Sequence, residues 1–510
     1  MRRIIFFSVM ILTLAAAQNN VTLLQWAGPD GSRPESFEEW IETHPYTDFS
    51  YTLDYIKHGD RAGNIAIFAE QSIANALTSE LNQLTNNLQT EGYTVYSYQM
   101  TGGTPETLRT MLQNLYNGNG LVGALFIGNL PIAWFEIAND FGTNGYADFP
   151  IDLFFMDLDG TWLDTMNTGN GKYDGHNGNV HPDIFVGRLY PTGLGDDTLL
   201  LQNYFRKNNS FRHDTLLLTQ RALVFVDDAW RPWANQWAGD VALLYSDTRL
   251  YWDAETTRAT IYRRNLDTTQ ACVLVCAHSW PGGHEFAYDS SHSHDYYYSY
   301  EYTNQDPPSN FYNFFACSFS RYTASGNCGG NQAIFNASSG VGSIGSTKSG
   351  SMRDFQYFYR PLGQGKTLGE AFKYWFACIY DSVGMSFDRL CWHYGMTLSA
   401  DPFLIPLGHN TGIAEHSADK NTKSIFTVQS NPVTKHAQMN FTLKTEQELA
   451  ISIYDCAGRK LKNITYHLGA GQHSIALLLD DKSGNELTAG IYVLKVNIDN
   501  KIFTRKIVKI

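Results

Sequence analysis

Seven cysteines in 510 residues are far too few for a disulfide-built scaffold, and their odd number leaves at least one thiol unpaired. They are Cys272, Cys276, Cys317, Cys328, Cys378, Cys391 and Cys456, and no pair has convincing zinc spacing. Positive charge is also scarce: 37 Lys and Arg stand against 50 Asp and Glu, for a formal net charge of -13. Neither nucleic acid nor an anionic membrane surface has the basic footprint it needs as a main partner. Long apolar runs are missing after the first residues. Arg2 and Arg3, the apolar stretch Ile4–Leu14 and the small pair Ala15 and Ala17 read as a signal peptide over 1–17. Its apolar stretch is shorter than the about 20 residues a membrane-spanning helix needs. The expected mature chain is therefore exported and has no transmembrane helix.

What is abundant is apolar and aromatic mass. Hydrophobic residues make up 43% and aromatics 14%, enough for large cores and against a disordered chain. Residues 18–60 read as an irregular lead-in. An α/β pattern follows over 61–195: a strand at Asn64–Ala69, a helix at Ile73–Leu88, a strand at Tyr93–Tyr98, a helix opened by Thr104-Pro105-Glu106, and a strand in "LVGALFIGNLP". Such alternation implies parallel sheets flanked by helices. Between them and a strand at Asp183–Leu189 lies a loop dense in Asp, Asn and Gly. Asp157, Asp159, Asp164 and Asp174 there resemble a calcium-binding loop without EF-hand spacing, and plain turn formation is the competing reading.

A second α/β series spans 196–414. "RALVFVDD" ends in Asp227 and Asp228, "ACVLVCAHS" carries His278 at its end, and "SNFYNFFACS" runs out at Cys317. The span 288–302, rich in Tyr and His, reads as a long loop. From about 415 onward, alternating segments such as "ELAISIYD" and "GIYVLKVNI" predict an all-β sandwich over 415–510, with "KIFTRKIVKI" as an edge strand.

In open α/β sheets the ligand crevice lies beyond the carboxyl ends of the strands. His278 and Cys317 each sit at such an end, so a parallel sheet carries both to one rim. Nucleophilic catalysis needs this pairing, because a thiol is mostly protonated at neutral pH and an imidazole helps form the thiolate. A third group that orients the histidine is expected from Asp228, with Asp227 as its rival. His284, in "PGGHEF", competes for the role of base. A buried filler cysteine and a Cys317–Cys328 disulfide are the structural alternatives for the nucleophile.

The segments "GALFIGNLP", "HPDIFVGRL", "VLVCAHS", "FFACS", "GVGSIGSTKSGSM" and "GMTLSADPFLIP" occur in that order, over roughly 60–407. In this they resemble the gingipain family of cysteine peptidases, relatives of caspases in fold. The resemblance implies a caspase-like α/β catalytic region, with Cys317 as nucleophile and His278 as the catalytic histidine. The chain departs from the family at Ser279, where the family has glycine, at Ser318 after the cysteine, and at Ala400. Asn431-Pro432, "YDCAGRKL", "LTAGIYVLKV" and the final "KIVKI" resemble the type IX secretion sorting domain. That implies export across both membranes, to the surface or the medium, with the secretion machinery as partner.

The expectation is a secreted cysteine endopeptidase acting on protein or peptide substrates, its chemistry requiring no cofactor and its one candidate metal a structural calcium ion. Cleavage-site preference stays open; Asp240 is the acid considered for a basic-residue pocket. The alternative is a catalytically inactive surface adhesin on the same scaffold.

Overall fold

The computed structural model describes residues 21–509 apart from 30, 61–62, 288–293, 384–385, 410–425, 430–432, 444, 456–458, 483–484 and 499–500. The signal peptide, His292, Asn431, Pro432 and Cys456 therefore lie outside the described residues. Two compact units divide the chain at Met1–His409 and Asn410–Ile510.

Among the described residues the first unit contains two large sheets and two small two-stranded ones. In the first, β1 (Ser50–Lys57), β2 (Asn64–Glu70), β3 (Thr94–Thr101), β4 (Leu121–Ile127) and β5 (Phe185–Leu189) take the order β1-β3-β2-β4-β5. All pairings are parallel except that of β1 with β3. The interior strands β2 and β4 read as largely apolar runs, as in a sheet covered on both faces. Helix Pro105–Asn119 shows why one of them starts where it does: Thr104 and Thr107 form a reciprocal cap, Pro105 sits at the first turn, and Gly120 closes it at φ 65°. The predicted helix over 73–88 is two helices, Gln71–Ala76 and Thr78–Thr90, joined at Leu77.

The lead-in proves less irregular than its sequence implied. It holds the helix Phe37–Thr43, fixed by a capping box between Ser36 and Glu39, and the edge strand β1. The span 288–302 also differs from the expected loop, since within it lie a strand and the start of a helix, Glu301–Gln305.

The second sheet is built from β6 (Arg221–Val226), β7 (Asp247–Tyr251), β8 (Gln270–Trp280), β9 (Gly283–Ala287), β10 (His294–Tyr298), β11 (Ser309–Ala316), β12 (Gly342–Ser346) and β13 (Met396–Ala400). Its main path runs β7-β6-β8-β11-β12-β13, with the β9–β10 hairpin attached to the far end of β8. The four pairings from β7 to β12 are parallel. Side chains of β8 and β11 alternate between two cores. Cys272, Leu274, Cys276, Phe311 and Phe315 enter one. Val273, Val275, Ala277, Tyr312, Phe314 and Ala316 enter the other.

The second unit is all-β, as its alternating sequence predicts. Antiparallel strands form a three-stranded and a four-stranded sheet. Met439 and Leu477 from the first, with Ile451, Leu494 and Ile507 from the second, fill one core between them. The last strand, Lys501–Lys509, lies at the edge of its sheet.

Candidate active site

The carboxyl ends of β8 and β11 bring the expected pair onto one rim. Ala277 and Ala316 are register partners, so His278 and Cys317 are the next residues out on strands about 4.8 Å apart. Alternation decides the face. Cys317 belongs to the core that takes Cys276 and Phe315, and the His278 ring lies 4.7 Å from that of Trp230 in the same core. Thiol and imidazole share a face.

Cys317 is 1% exposed. Its Sγ lies 3.2 Å from Ser349 Oγ and 3.6 Å from Ser318 Oγ. Burial pushes the thiol up, while the two hydroxyls and the Lys348 ammonium pull the other way. Ser349 is delivered by the turn after β12, where Gly350 at φ 127° brings the chain against the Cys391 and Trp392 carbonyls, leaving no room for a Cβ. Cys317 borders a cavity of ≈ 290 Å³ whose wall includes Trp26, Asp140, Asp148, Arg321 and Lys348. The charges on that wall are paired: Lys348 with Asp140 at 2.9 Å and Arg321 with Asp148 at 3.7 Å.

Ser318 takes the left-handed conformation, φ 54°, which a glycine adopts without the cost borne by other residues. Its N–H donates to Lys348 O at 3.0 Å. Cys317 and Cys328 are both free thiols, so the disulfide alternative falls away.

The imidazole Nδ1 of His278 accepts the Gln25 N–H at 3.0 Å, a bond that assigns the ring proton to Nε2. His284 stands on the other face. It is fully buried, stacks on Phe319 at 3.8 Å, and contacts Ser279 Oγ at 2.8 Å and Tyr302 OH at 3.2 Å. Burial drives its pKa down to about 3, so it is a neutral core histidine. Asp228 opens a short 3-10 stretch and is exposed. Asp227 is the buried one of the two: its N–H donates to Cys276 O at 2.9 Å and its Oδ1 accepts the Ala229 N–H at 3.1 Å.

Residues 428–510 match the family described as the secretion system C-terminal sorting domain. The protein is an exported one. Its destination is the cell surface or the medium, and its tail addresses the secretion machinery. Among the described residues no helix is long and apolar enough to cross a membrane. A search of curated proteins finds no match. Among solved structures, the complex of Porphyromonas gingivalis RgpB pro- and mature domains is similar at 11% identity and a TM-score of 0.47, over 88% of this chain and 100% of that one. Dimeric latent PorU from the same organism is similar at 10% identity and a TM-score of 0.28, over 88% of this chain and 43% of that one. PorZ, a surface component of the type IX secretion system there, is similar at 16% identity and a TM-score of 0.14, over 24% and 14%.

Outside the rim, the acidic loop divides. Asp157 and Asp159 converge with Asp183, their ligand atoms within 4.8 Å of one another. Asp157 Oδ2 also approaches His176 Nε2 to 2.5 Å without hydrogen-bond geometry. Asp164 and Asp174 instead hold turns, accepting from Gly169 N–H at 2.7 Å and from Thr165 N–H at 2.7 Å. Asp240, on helix Ala234–Val241, does not border the cavity beside Cys317; burial first and Asp354 second push its carboxyl up to about 6. Two participants at the rim had no local sequence signal: Ser349, and the segment around Gln25 that reaches His278 from some 250 residues upstream.

Proposed function

We propose that this chain is a secreted cysteine-type endopeptidase, of the gingipain-like kind its middle segments resemble, with Cys317 as nucleophile and His278 as base and leaving-group acid. The observation that supports it is the placement of His278 and Cys317 one residue beyond a matched pair, on adjacent parallel strands and on one face. In the reaction, His278 takes the thiol proton and the sulfur attacks the peptide carbonyl. The C–N bond then breaks as His278 returns a proton to the departing amine. Water, deprotonated by the same imidazole, attacks the thioester, releases the carboxylate product and restores the thiol. Asp228 is the proposed orienter of the imidazole, and Asp227, buried at the end of β6, is its rival.

The test is peptide-library cleavage by reduced wild-type protein, Cys317→Ala and His278→Ala, beside labelling of Cys317 by an acyloxymethyl ketone. We expect no turnover in Cys317→Ala and a loss of about 10²–10⁴ in kcat/KM for His278→Ala, the usual worth of general acid–base catalysis. Asp227→Asn and Asp228→Asn, compared by pH profile, separate the two acids. Unlabelled Cys317 and no turnover, persisting after Gln25→Pro has removed the N–H that the segment around Gln25 gives to His278, would return the chain to the adhesin reading.

A further inference from the structure

Residues 21–27, "VTLLQWA", carry no charge, and they run across the rim that holds Cys317 and His278. Trp26 forms a parallel bridge to Ser279 at the end of β8. The Ser279 N–H donates to Gln25 O at 3.3 Å, and the Ala27 N–H donates to Ser279 O at 3.2 Å. That is the slanted pattern of an added parallel strand. At the other end, Trp230 Nε1 donates to Thr22 O at 2.8 Å and Thr22 Oγ1 donates to Ala229 O at 3.2 Å.

Between these anchors lie the contacts that matter. Ser349 Oγ, which touches the Cys317 sulfur, donates to Leu24 O at 3.0 Å. The next amide, Gln25 N–H, donates to His278 Nδ1 at 3.0 Å. One peptide unit is thus held with its carbonyl on the thiol's hydroxyl neighbour and its N–H on the imidazole. Leu24 is 1% exposed within the core beneath the rim, and Trp26 borders the cavity beside Cys317.

We propose that Thr22–Ala27 is a tethered peptide lying in the substrate track of the Cys317 site. The track takes extended, uncharged peptides that add as a parallel strand to the end of β8, with an apolar side chain where Leu24 sits. The inference rests on the reading of Cys317 and His278 as the reacting pair. A basic side chain gains little there, because the acids on the cavity wall already face Lys348 and Arg321. The tether also explains why a strand-end thiol is covered: an attached segment competes at the millimolar effective concentrations typical of short links. Entry of another peptide requires it to leave.

Iodoacetamide alkylation of the full chain, read at Cys317 by peptide mass spectrometry, tests this without depending on turnover. Ala27→Pro removes the donor to Ser279 O, and Gln25→Pro removes the donor to His278 Nδ1. Each is expected to speed Cys317 alkylation by about tenfold, the scale of one lost hydrogen bond. Cys272 and Cys276, buried in the same sheet, stay unlabelled as the control for folding. The synthetic peptide VTLLQWAG then restores protection in the opened variants, and the same peptide with Arg at its Leu24 position does not. Wild-type alkylation rates in both folded variants, or no protection by the peptide, overturn the proposal. So does labelling of Cys272 and Cys276 in both, because the segment is then core rather than tether. Opened protein that is protected by the peptide but cleaves nothing retains the docking track and removes the peptidase reading.

Discussion

His278 and His284 are six residues apart, and the pleat and the turn after β8 send them to opposite faces of one sheet. His278 meets Trp230 and the Gln25 amide; His284 is sealed among Phe314, Phe319 and Tyr302. The second placement has a consequence for stability. An unfolded histidine titrates near 6.5, whereas burial holds His284 down to about 3. Between those values the unfolded chain binds a proton the folded chain does not, so stability is full above the unfolded pKa and falls as pH drops toward 3. The loss has an upper limit of about 5 kcal/mol at 1.36 kcal/mol per pKa unit. Denaturant unfolding of wild type and His284→Gln between pH 7 and pH 4 checks it. The variant, lacking the titrating ring, is expected to start less stable and to decline less steeply; parallel curves would remove His284 as a source of acid sensitivity.

At the scale of elements, legibility followed burial. Strands β2, β4, β8 and β11 are buried almost throughout and mostly apolar because both faces are covered, and their sequences show their ends as clearly as their interiors. That is why residues at strand ends, His278 and Cys317, could be placed on a shared rim from the sequence. Strand β1 was missed although Tyr51, Leu53 and Tyr55 alternate with Ser50, Thr52 and Asp54; six of its eight residues are exposed, so the alternation marks no buried face. The helix at Phe37 did have a signal, Ser36 with Glu39, masked by neighbouring prolines and tryptophans. Asp183 escaped the acidic-loop reading for another reason: its partners Asp157 and Asp159 are about two dozen residues upstream, beyond any local spacing rule. Burial, then Asp183 and Asp157, raise the Asp159 carboxyl, so its charge is held there at a cost. We propose that a calcium ion relieves this cost, hard oxygen donors being its preferred ligands. Calcium is then expected to raise Tm by a few degrees through preferential binding to the folded state, with magnesium less effective. In Asp157→Asn that increment disappears; a calcium response undiminished by this change would reduce the cluster to a set of turn formers.

For the whole molecule, the Cys317 rim and the sorting-domain match occupy different units of the chain. The rim, the cavity and the covering segment all belong to Met1–His409, while the sorting-domain match over 428–510 falls within Asn410–Ile510. The second unit has its own core, with Leu449, Ile451 and Leu494 fully buried. Its edge strand Lys501–Lys509 pairs with Gly490–Ile498 along its length, bridges to Val433 at its end, and contributes Ile507 to the core. Removing residues 501–510 therefore exposes the Gly490–Ile498 strand and opens the core at Ile507, while every residue of the Cys317 site stays in place. The expected outcome is a separation of phenotypes: the truncated chain is retained inside the outer membrane, yet after purification its Cys317 alkylates at the wild-type rate. Cell fractionation and the alkylation assay read the two halves independently. Surface delivery of the truncated chain would show that the address does not require the edge strand. A changed alkylation rate would show instead that the second unit reaches the site it has no residue in.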